Sequence, residues 1–321
     1  ELYARPILGI DHTDVVFSAA KLFFAYGLGN ALSFPLAVGA TTVLLGDRPT
    51  PANVCRILRE HRPTIFYGVP TLYSALLASG ELPDRGALNL RRCTSAGEAL
   101  PAELGRRWRE HTGVDILDGL GSTEMLHIFL SNRPGEVRYG TTGKPVPGYE
   151  IKLLDETGAP AADGTIGELQ VAGPTAAACY WNNREKSHAT FLGPWTRSGD
   201  KYSKDQDGYF TYAGRNDDML KVSGIWVSPF EVESALASHP AVLEAAVVAH
   251  ADDDGLIKPK AFVVLRPGTD PAAGLAGDLQ QHVKSRLAPY KYPRWIEFAA
   301  ELPKTATGKI QRFKLRATKN S

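Results

Sequence analysis

The sequence has 321 residues, of which 43% are hydrophobic and 22% are charged, a composition that suits about two globular domains and excludes a disordered or collagen-like chain. The 36 Lys and Arg residues balance 35 Asp and Glu residues, and a net charge of +1 argues against nucleic acid or an anionic membrane as a partner. Cys55, Cys93 and Cys179 are too dispersed for a disulfide framework or a zinc motif, so we predict buried, reduced thiols in a cytoplasmic protein.

The longest apolar run of the sequence covers residues 31–45 and is interrupted by Pro35 and Gly39. This run is shorter than the roughly 20 apolar residues that a membrane-spanning helix needs. We therefore predict that the segment belongs to a buried core and that the protein has no membrane partner.

Residues 1–135 alternate short apolar runs with amphipathic stretches, which is typical of β-α units around a parallel sheet. We predict strands at 41–45 and 64–67 and a helix at 53–61 between them. The fold class predicted for this part is therefore α/β, with an open sheet.

A second helix is predicted at 101–111, because Pro101 suits a first turn and Gly113 lies just past the last amphipathic residue. The following apolar residues, 114–117, predict a strand. Residues 119–124 would then form a loop at the carboxyl end of that strand, which is where ligands usually bind in open α/β sheets.

From residue 136 the sequence changes to short apolar runs separated by Gly, Pro and Asp, which predicts a small β-rich subdomain. Beyond Arg215 the pattern predicts a compact α+β lobe. Its predicted elements are helices at 229–238 and 276–287 and strands at 244–250, 260–265 and 294–298.

Two common nucleotide-binding motifs can be excluded. The segment from Gly27 to Gly29 has Leu32 in place of the third glycine of a dinucleotide fingerprint. The segment 303–310 resembles the end of a P-loop, but Pro303 replaces its first glycine and Ile310 replaces its Ser or Thr.

Five loops instead combine small residues with embedded charges, a combination that lets the backbone approach a phosphate while hydroxyls donate to it. They are Ser95-Ala-Gly-Glu-Ala-Leu-Pro101, Asp118-Gly-Leu-Gly-Ser-Thr-Glu124, Arg197-Ser-Gly-Asp200, Gly214-Arg-Asn-Asp-Asp218 and Pro303-Lys-Thr-Ala-Thr-Gly-Lys-Ile310. Their order and spacing resemble the core motifs of the adenylate-forming superfamily, which comprises acyl-CoA ligases, luciferases and peptide-synthetase adenylation domains.

The resemblance implies a large adenylation domain over residues 1–216, divided into an α/β part at 1–135 and a β-rich part at 136–216. It also implies a small mobile lobe over residues 217–321, which swings about a hinge at Asp217. Relatives carry an early phosphate-binding loop that has no counterpart here. We therefore expect that an N-terminal region is absent and that this chain alone does not convert substrate into product.

The resemblance further implies that ATP, Mg²⁺ and coenzyme A are used. Lys309 would be the catalytic lysine of the adenylation step, Thr123 would contact phosphate, and Glu124 would coordinate Mg²⁺. Asp200 would hold the ribose hydroxyls, and Arg215 would make a second nucleotide contact.

The adenine would lie against Gly97, Glu98 and Ala99. Coenzyme A would be held by Gly224 and Tyr290.

The acid-binding pocket is implied by Phe-Phe-Ala-Tyr-Gly-Leu-Gly-Asn and by Gly-Ser-Thr-Glu-Met-Leu-His-Ile-Phe, which together look most like benzoate-CoA ligases. Aromatic side chains with small residues between them would form a flat apolar slot for a benzene ring. The residues assigned to the substrate are Phe24, Ala25, Tyr26, Gly119, Leu120, His127 and Ile128.

Three alternatives stay open. The protein would be a ligase for hydroxybenzoate or aminobenzoate, another acid-adenylating enzyme that feeds a carrier protein, or a non-catalytic adenylate-binding protein. A homodimer is also left open.

Overall fold

The protein is described by a computed structural model, which covers residues 1–222, 225–252, 254–305 and 310–317. Two compact units are present. The first comprises Glu1–Ser198 and Ser203–Thr211, and the second comprises Gly199–Tyr202 and Tyr212–Ser321.

The centre of the first unit is a seven-stranded sheet. Its strands are β1 (Val15–Ser18), β2 (Thr41–Val43), β3 (Ile65–Gly68), β4 (Arg92–Ser95), β5 (Ile116–Gly121), β6 (Ile128–Ser131) and β7 (Lys144–Pro145). The order is β2-β1-β3-β4-β5-β6-β7, and the first five strands in this order are parallel to one another. The predicted open α/β sheet is therefore confirmed.

The helices of the first unit are α1 (Ala25–Leu28), α2 (Phe34–Val38), α3 (Pro51–Glu60), α4 (Pro70–Ala78), α5 (Ala102–Thr112) and α6 (Arg184–Thr190), with π-helical turns at Ala4–Leu8 and Gly29–Ser33 and a 3-10 turn at Arg85–Ala87. Local sequence explains their ends. Thr50 caps α3 by accepting a hydrogen bond from the amide of Asn53 at 3.3 Å. Gly113 ends α5 in the left-handed region with φ of 77°, as predicted.

An aromatic cluster forms the core between the sheet and these helices. Trp108 of α5 is fully buried, and its ring lies edge-on to that of Tyr73, with centroids 4.7 Å apart. Tyr73 in turn contacts Phe66 of β3 at 5.4 Å. Edge-to-face packing is a favourable geometry for aromatic rings, so these residues fix α4 and α5 against the sheet.

Three expectations about this unit are wrong in part. Residues 119–121 were predicted to lie in a loop, but they belong to strand β5, which extends through Gly121. The reason is that β6 pairs with β5 in antiparallel orientation from Gly119 to Gly121. The run 31–45 is not wholly buried.

In that run, Leu36 is 72% exposed and Leu44 is 61% exposed, because β2 is the edge strand of the sheet and α2 buries Pro35 while leaving its opposite face free. Cys179 is exposed, whereas Cys55 and Cys93 are buried as predicted.

The β-rich part is a second sheet. Its strands are β8 (Glu150–Leu154), β9 (Gly167–Ala172), β10 (Phe191–Leu192), β11 (Trp195–Lys204) and β12 (Phe210–Arg215). The order is β10-β11-β9-β8, with β12 paired to β11. Strands β11 and β12 are divided between the two units.

The second unit has the predicted α+β composition. Its strands are β13 (Leu220–Val222), β14 (Ile225–Val227), β15 (Val242–Ala251), β16 (Ile257–Leu265) and β17 (Trp295–Phe298), and its helices are α7 (Pro229–Ala237), α8 (Leu275–Lys284) and α9 (Arg312–Ala317), with a 3-10 turn at Pro289–Lys291. Strands β15, β16 and β17 form one sheet, and β13 and β14 form a hairpin.

Residues of β15 alternate between the two faces of that sheet, as the period of a strand requires. Val247 packs with Leu236 of α7 and Leu279 of α8 on one face, and Val248 packs with Leu315 of α9 on the other. Both faces of the sheet are therefore covered.

Within the described part of the chain, no helix has the length and apolar character needed to cross a membrane.

Candidate active site

The parallel strands of the first unit end side by side at one edge of the sheet. Gly68 and Ser95 end β3 and β4, and their register partner Asp118 is the last residue of β5 that pairs with β4. The loops that follow β4 and β5 carry two of the predicted segments, residues 97–99 and 122–124. The topology therefore brings the predicted adenine and phosphate residues to the same edge.

Beside this edge lies a cluster of aromatic rings around His127. The imidazole stacks on Tyr26, with centroids 5.6 Å apart and an interplanar angle of 28°. It also contacts Phe34 edge-on at 4.6 Å and Tyr3 at 5.4 Å. Tyr26 is fixed in turn by a 2.6 Å hydrogen bond between its hydroxyl and Oγ1 of Thr94. Tyr26 and His127, which were predicted to line one pocket, are therefore in contact.

The hydrogen bonding of His127 indicates its protonation state. Its Nε2 lies 3.4 Å from the backbone oxygen of Tyr26. A carbonyl oxygen only accepts, so Nε2 carries the proton of the neutral ring and Nδ1 is left as an acceptor. Burial lowers the pKa of His127 to about 4, so the ring is uncharged at neutral pH.

The close packing around His127 and Ile128 requires glycine at two positions. A Cβ added at Gly29 would lie 2.7 Å from Nε2 of His127. A Cβ added at Gly119 would lie 2.7 Å from Cδ1 of Ile128. Gly29 and Gly119 therefore allow His127 and Ile128 to pack where they do.

Several buried polar atoms at this edge have no hydrogen-bond partner in the described residues. They are both amide atoms of Asn30, the hydroxyls of Tyr67 and Ser95, Oδ1 of Asp118 and Nδ1 of His127. Unpaired buried polar atoms are rare and costly, and they are often satisfied by water or a ligand. Their concentration here supports a ligand site.

Asp118 has an unusual electrostatic setting for a carboxyl group. Burial raises its pKa well above the ordinary value, and hydrogen bonds from Thr142 and from the backbone of Leu100 and Gly119 only partly offset this. Asp118 was quoted in a motif but given no role in the sequence analysis. An acidic residue inside a buried strand is the signal that marks it.

The other predicted pocket residues lie around this cluster at different depths. Phe24 directly precedes α1 and is half-buried, with its ring 4.4 Å from that of Phe23, which is 78% exposed. Ala25 is the next residue and is also half-buried. Leu120 pairs with Leu130 across β5 and β6.

The predicted nucleotide loops of the first unit are partly open to solvent. Gly97 is exposed and has φ of 91°, a backbone conformation that favours glycine. Glu98 and Ala99 are half-buried, and Thr123 is exposed. These residues are accessible to a ligand.

Glu124 has a partner that the sequence analysis missed. The hydroxyl of Tyr180 donates a 2.5 Å hydrogen bond to its Oε1. Burial raises the pKa of Glu124, but hydrogen bonds from Tyr180 and Ser122 and the charge of Lys186 outweigh it, so the pKa is lower than usual and the carboxylate is ionised at neutral pH. Tyr180 is 56 residues away in sequence, and no local pattern links the two.

In the second unit, Asp200 and Arg215 form an ion pair. Their Oδ1 and Nη1 atoms are 3.1 Å apart, and Asp200 is buried while Arg215 is exposed. Gly199 lets the guanidinium of Arg215 lie close to the backbone, because a Cβ at this position would be 3.0 Å from Nη2 of Arg215. Its φ of 75° also favours glycine. The backbone amide of Asn216 also donates to the oxygen of Gly199 at 3.0 Å.

The remaining assignments stay predictions. Asp217 is exposed, and Tyr290 is partly buried against the core of the second unit. Gly224 and Lys309 lie outside the described residues. The described residues contain no group of three or more His, Cys, Asp or Glu side chains that could hold a metal ion.

Two family models match the chain. The model described as AMP-binding enzyme matches residues 2–181, and the model described as AMP-binding enzyme C-terminal domain matches residues 231–309.

Among curated relatives, the benzoate-CoA ligase of Thauera aromatica is 69% identical over 99% of this chain and 60% of its own length. The 4-hydroxybenzoate-CoA/benzoate-CoA ligase of Rhodopseudomonas palustris is 56% identical over 96% of this chain and 58% of its own.

Among solved structures, a benzoate CoA ligase from Burkholderia xenovorans LB400 matches with a TM-score of 0.94 and 63% identity, covering 98% of this chain and 63% of that one. The anthranilate CoA ligase AuaEII in complex with anthranoyl-AMP matches with a TM-score of 0.94 and 52% identity, covering 98% of this chain and 61% of that one.

The chain thus spans about 60% of the length of the curated relatives that it matches. The first family model alone covers more than half of the sequence, across the sheet edge and the aromatic cluster described above. The chain therefore belongs to the family of AMP-binding enzymes.

Proposed function

We propose that the protein is an acid-thiol ligase that converts benzoate, ATP and coenzyme A into benzoyl-CoA, AMP and pyrophosphate. The observation that carries the proposal is the aromatic cluster of Tyr26, His127 and Phe34 beside a sheet edge that holds unpaired buried polar atoms. An apolar slot next to polar groups suits a molecule with a ring at one end and a carboxylate at the other.

The chemistry requires two steps, because a free carboxylate has no good leaving group. First, a carboxylate oxygen attacks the α-phosphate of ATP, and pyrophosphate leaves. Then the sulfur of coenzyme A attacks the acyl carbon, and AMP leaves with the electron pair of the broken bond. Positive charge must separate the two anions in the first step, and Lys309 is assigned this role.

Asp200 and Arg215 suit the nucleotide. Asp200 offers two acceptor oxygens, which match the two hydroxyls of a ribose. Arg215 at 3.1 Å holds that carboxylate in one orientation. The exposed Thr123 would donate to phosphate.

Glu124 fits Mg²⁺, a hard cation that binds oxygen ligands and commonly uses one or two carboxylates together with substrate phosphates. Its carboxylate is ionised and half-buried, and Tyr180 fixes one of its two oxygens. When bound, Mg²⁺ would neutralise phosphate charge.

The neutral pocket favours an uncharged ring. A neutral His127 stacked on Tyr26 presents no charge to the substrate, which suits benzoate. A second candidate substrate class is hydroxybenzoate or aminobenzoate, because the unpaired Nδ1 of His127 could accept a hydrogen bond from a ring substituent. The names of the relatives from R. palustris and of AuaEII include such acids.

A screen of acids would test this function. The complete product of the gene that encodes this chain would be incubated with ATP, Mg²⁺, coenzyme A and either benzoate, 4-hydroxybenzoate, 2-aminobenzoate or hexanoate. We expect benzoyl-CoA to be detected by its mass and pyrophosphate to be released. The rate of release should be higher with each aryl acid than with hexanoate. Faster turnover of hexanoate than of every aryl acid would contradict the assigned pocket.

Cytoplasmic location, the absence of nucleic acid and membrane partners, and a homodimer stay predictions. Light scattering of the purified protein would measure its oligomeric state.

A further inference from the structure

An anchor of contacts within the second unit holds Lys304, Ile310 and Gln311, which flank residues 306–309 in the sequence. Lys304 and Ile310 form an isolated antiparallel bridge, and the amide of Gln311 donates to the oxygen of Pro303 at 2.8 Å. Lys304 also pairs with Glu244 of β15 at 2.8 Å. Lys309 lies outside the described residues and directly precedes Ile310 in the sequence.

Arg312 connects this anchor to α7 through three hydrogen bonds. Its Nη2 donates to both oxygens of Glu233 of α7 at 2.9 and 2.8 Å, and its Nε donates to Oε1 at 3.3 Å. Glu233 is buried and also accepts the amide of Val247 at 2.7 Å. The charge of Glu233 raises the pKa of Arg312 above its ordinary value, despite the opposing effect of burial.

Arg312 also faces the turn that contains the predicted hinge. Its Nη1 lies 3.8 Å from Oδ2 of Asp218, and Arg316 pairs with the same carboxylate. The amide of Asp218 donates to the oxygen of Arg215 at 3.0 Å, and Arg215 pairs with Asp200 at 3.1 Å. A continuous series of contacts thus joins the segment after Lys309 to the carboxylate assigned to the ribose.

Ion pairing of this kind does not by itself indicate a stabilising role, since buried ion pairs often contribute no more stability than apolar residues of the same size. Their geometry is specific, however, because a guanidinium binds a carboxylate through two parallel hydrogen bonds. The arrangement of Arg312 therefore fixes the orientation of α9 relative to α7 and to the hinge-side turn.

We propose that Arg312, held by Glu233 and Asp218, is a positioning residue for the adenylation step. It fixes the residues that directly follow Lys309 in the sequence relative to Asp200 and Arg215, the pair assigned to the same nucleotide. The inference rests on the proposed function, and it concerns the first of the two steps only.

The test measures the two half-reactions separately in Arg312→Met, which removes the charge and the paired hydrogen bonds, and in Arg312→Lys. Adenylation is followed as benzoate-dependent exchange of pyrophosphate into ATP, and thioester formation is followed from supplied benzoyl-AMP and coenzyme A. We expect Arg312→Met to lower adenylation by at least about tenfold, because small displacements of a catalytic group are costly, with thioester formation within about twofold of wild type. Arg312→Lys is expected to restore part of the lost rate.

Two further variants separate positioning from folding. Lys260→Met removes a different ion pair of the same unit, between the buried Lys260 and the exposed Glu297 at 3.0 Å, and should leave the ratio of the two half-reactions unchanged. Asp218→Asn keeps the Arg312–Glu233 pair and should reproduce the selective loss of adenylation, even where Arg312→Met fails to fold. Hydrogen exchange at the amide of Gln311 should accelerate in Arg312→Met.

Equal loss of both half-reactions in the Arg312 and Asp218 variants, or wild-type adenylation in either, would overturn the positioning role. A wild-type protein that forms thioester from benzoyl-AMP but shows no adenylation with any acid would instead count against the proposed function.

Discussion

The hydroxyl of Tyr180 donates a 2.5 Å hydrogen bond to Oε1 of Glu124, and the amide of Ala177 donates to the backbone oxygen of Glu124 at 2.7 Å. The segment 177–180 therefore holds both the backbone and the side chain of this residue. The carboxylate that is assigned to Mg²⁺ is thus held in place by Tyr180 at Oε1.

Tyr180→Phe should reduce adenylation. The variant loses a hydrogen bond to a charged group, an interaction of about 1.5–3 kcal/mol, so we expect a drop of roughly 10- to 100-fold and a requirement for more Mg²⁺. Pyrophosphate exchange measured across a series of Mg²⁺ concentrations checks both effects.

Tyr139→Phe is the matched control for this variant, because Tyr139 donates a 2.6 Å hydrogen bond to Asp115 at a place with no assigned ligand. Its Mg²⁺ dependence should equal that of wild type. An unchanged Mg²⁺ dependence in Tyr180→Phe would remove Tyr180 from the site.

Asp200→Ala should weaken ATP binding while sparing the acid pocket. It removes both acceptors assigned to the ribose and leaves Arg215 without the carboxylate that orients it. Since each lost hydrogen bond to a charged group costs about 1.5–3 kcal/mol, KM for ATP should rise at least about tenfold. Steady-state kinetics with Asp207→Ala as control, an exposed partner of Arg138 at 3.0 Å, would show whether any aspartate has this effect.

Gly29→Ala should impair the acid pocket and not the nucleotide site. Gly29 has φ of −60°, which alanine adopts freely, so the steric contact of the new Cβ with His127 accounts for the effect. Overpacking of this kind costs about 1–3 kcal/mol, and KM for benzoate should rise at least about fivefold with KM for ATP unchanged.

Gly46→Ala is the control for this substitution, because an added Cβ there meets no heavy atom within 4 Å. Parallel changes of both KM values in Gly29→Ala would indicate a general packing defect and argue against a local pocket.

His127 should make the protein less stable in mild acid. Its pKa is about 4 when folded and 6.5 ordinarily, so the unfolded chain binds the proton more readily between these values. The stabilisation is complete above pH 6.5 and is lost as pH falls towards 4. Between pH 7 and pH 5 the loss should be about 2 kcal/mol.

Unfolding midpoints at pH 7 and pH 5 would measure this loss, with His127→Gln as the comparison that cannot titrate. The variant should lose less stability over this range than wild type. Identical losses in both proteins would show that other groups are responsible.

Much of the fold could be predicted from sequence because its signals are local. The apolar runs predicted the strands that are observed as β2, β3 and β5, and Gly113 marked the end of α5. The extension of β5 through Gly121 was missed, because it depends on pairing with β6 rather than on its own residues. The exposure of Leu36 likewise depends on where the sheet has its edge.

In the site, too, local motifs identified some residues, whereas contacts between distant residues were missed. Motifs assigned Tyr26 and His127 to one pocket because both occupy family positions for the acid-binding pocket. The contacts of Tyr180 with Glu124 and of Arg312 with Glu233 join side chains that are 56 and 79 residues apart. Such pairs follow from topology, and no pattern in the sequence predicts them.

The most direct measurement is benzoate-dependent exchange of labelled pyrophosphate into ATP, without coenzyme A, by the complete product of the gene. This exchange reports formation of the acyl-adenylate alone. We predict rapid exchange with benzoate and little with hexanoate. A folded protein that exchanges with hexanoate but not with benzoate would contradict the proposal that this pocket activates an aryl acid.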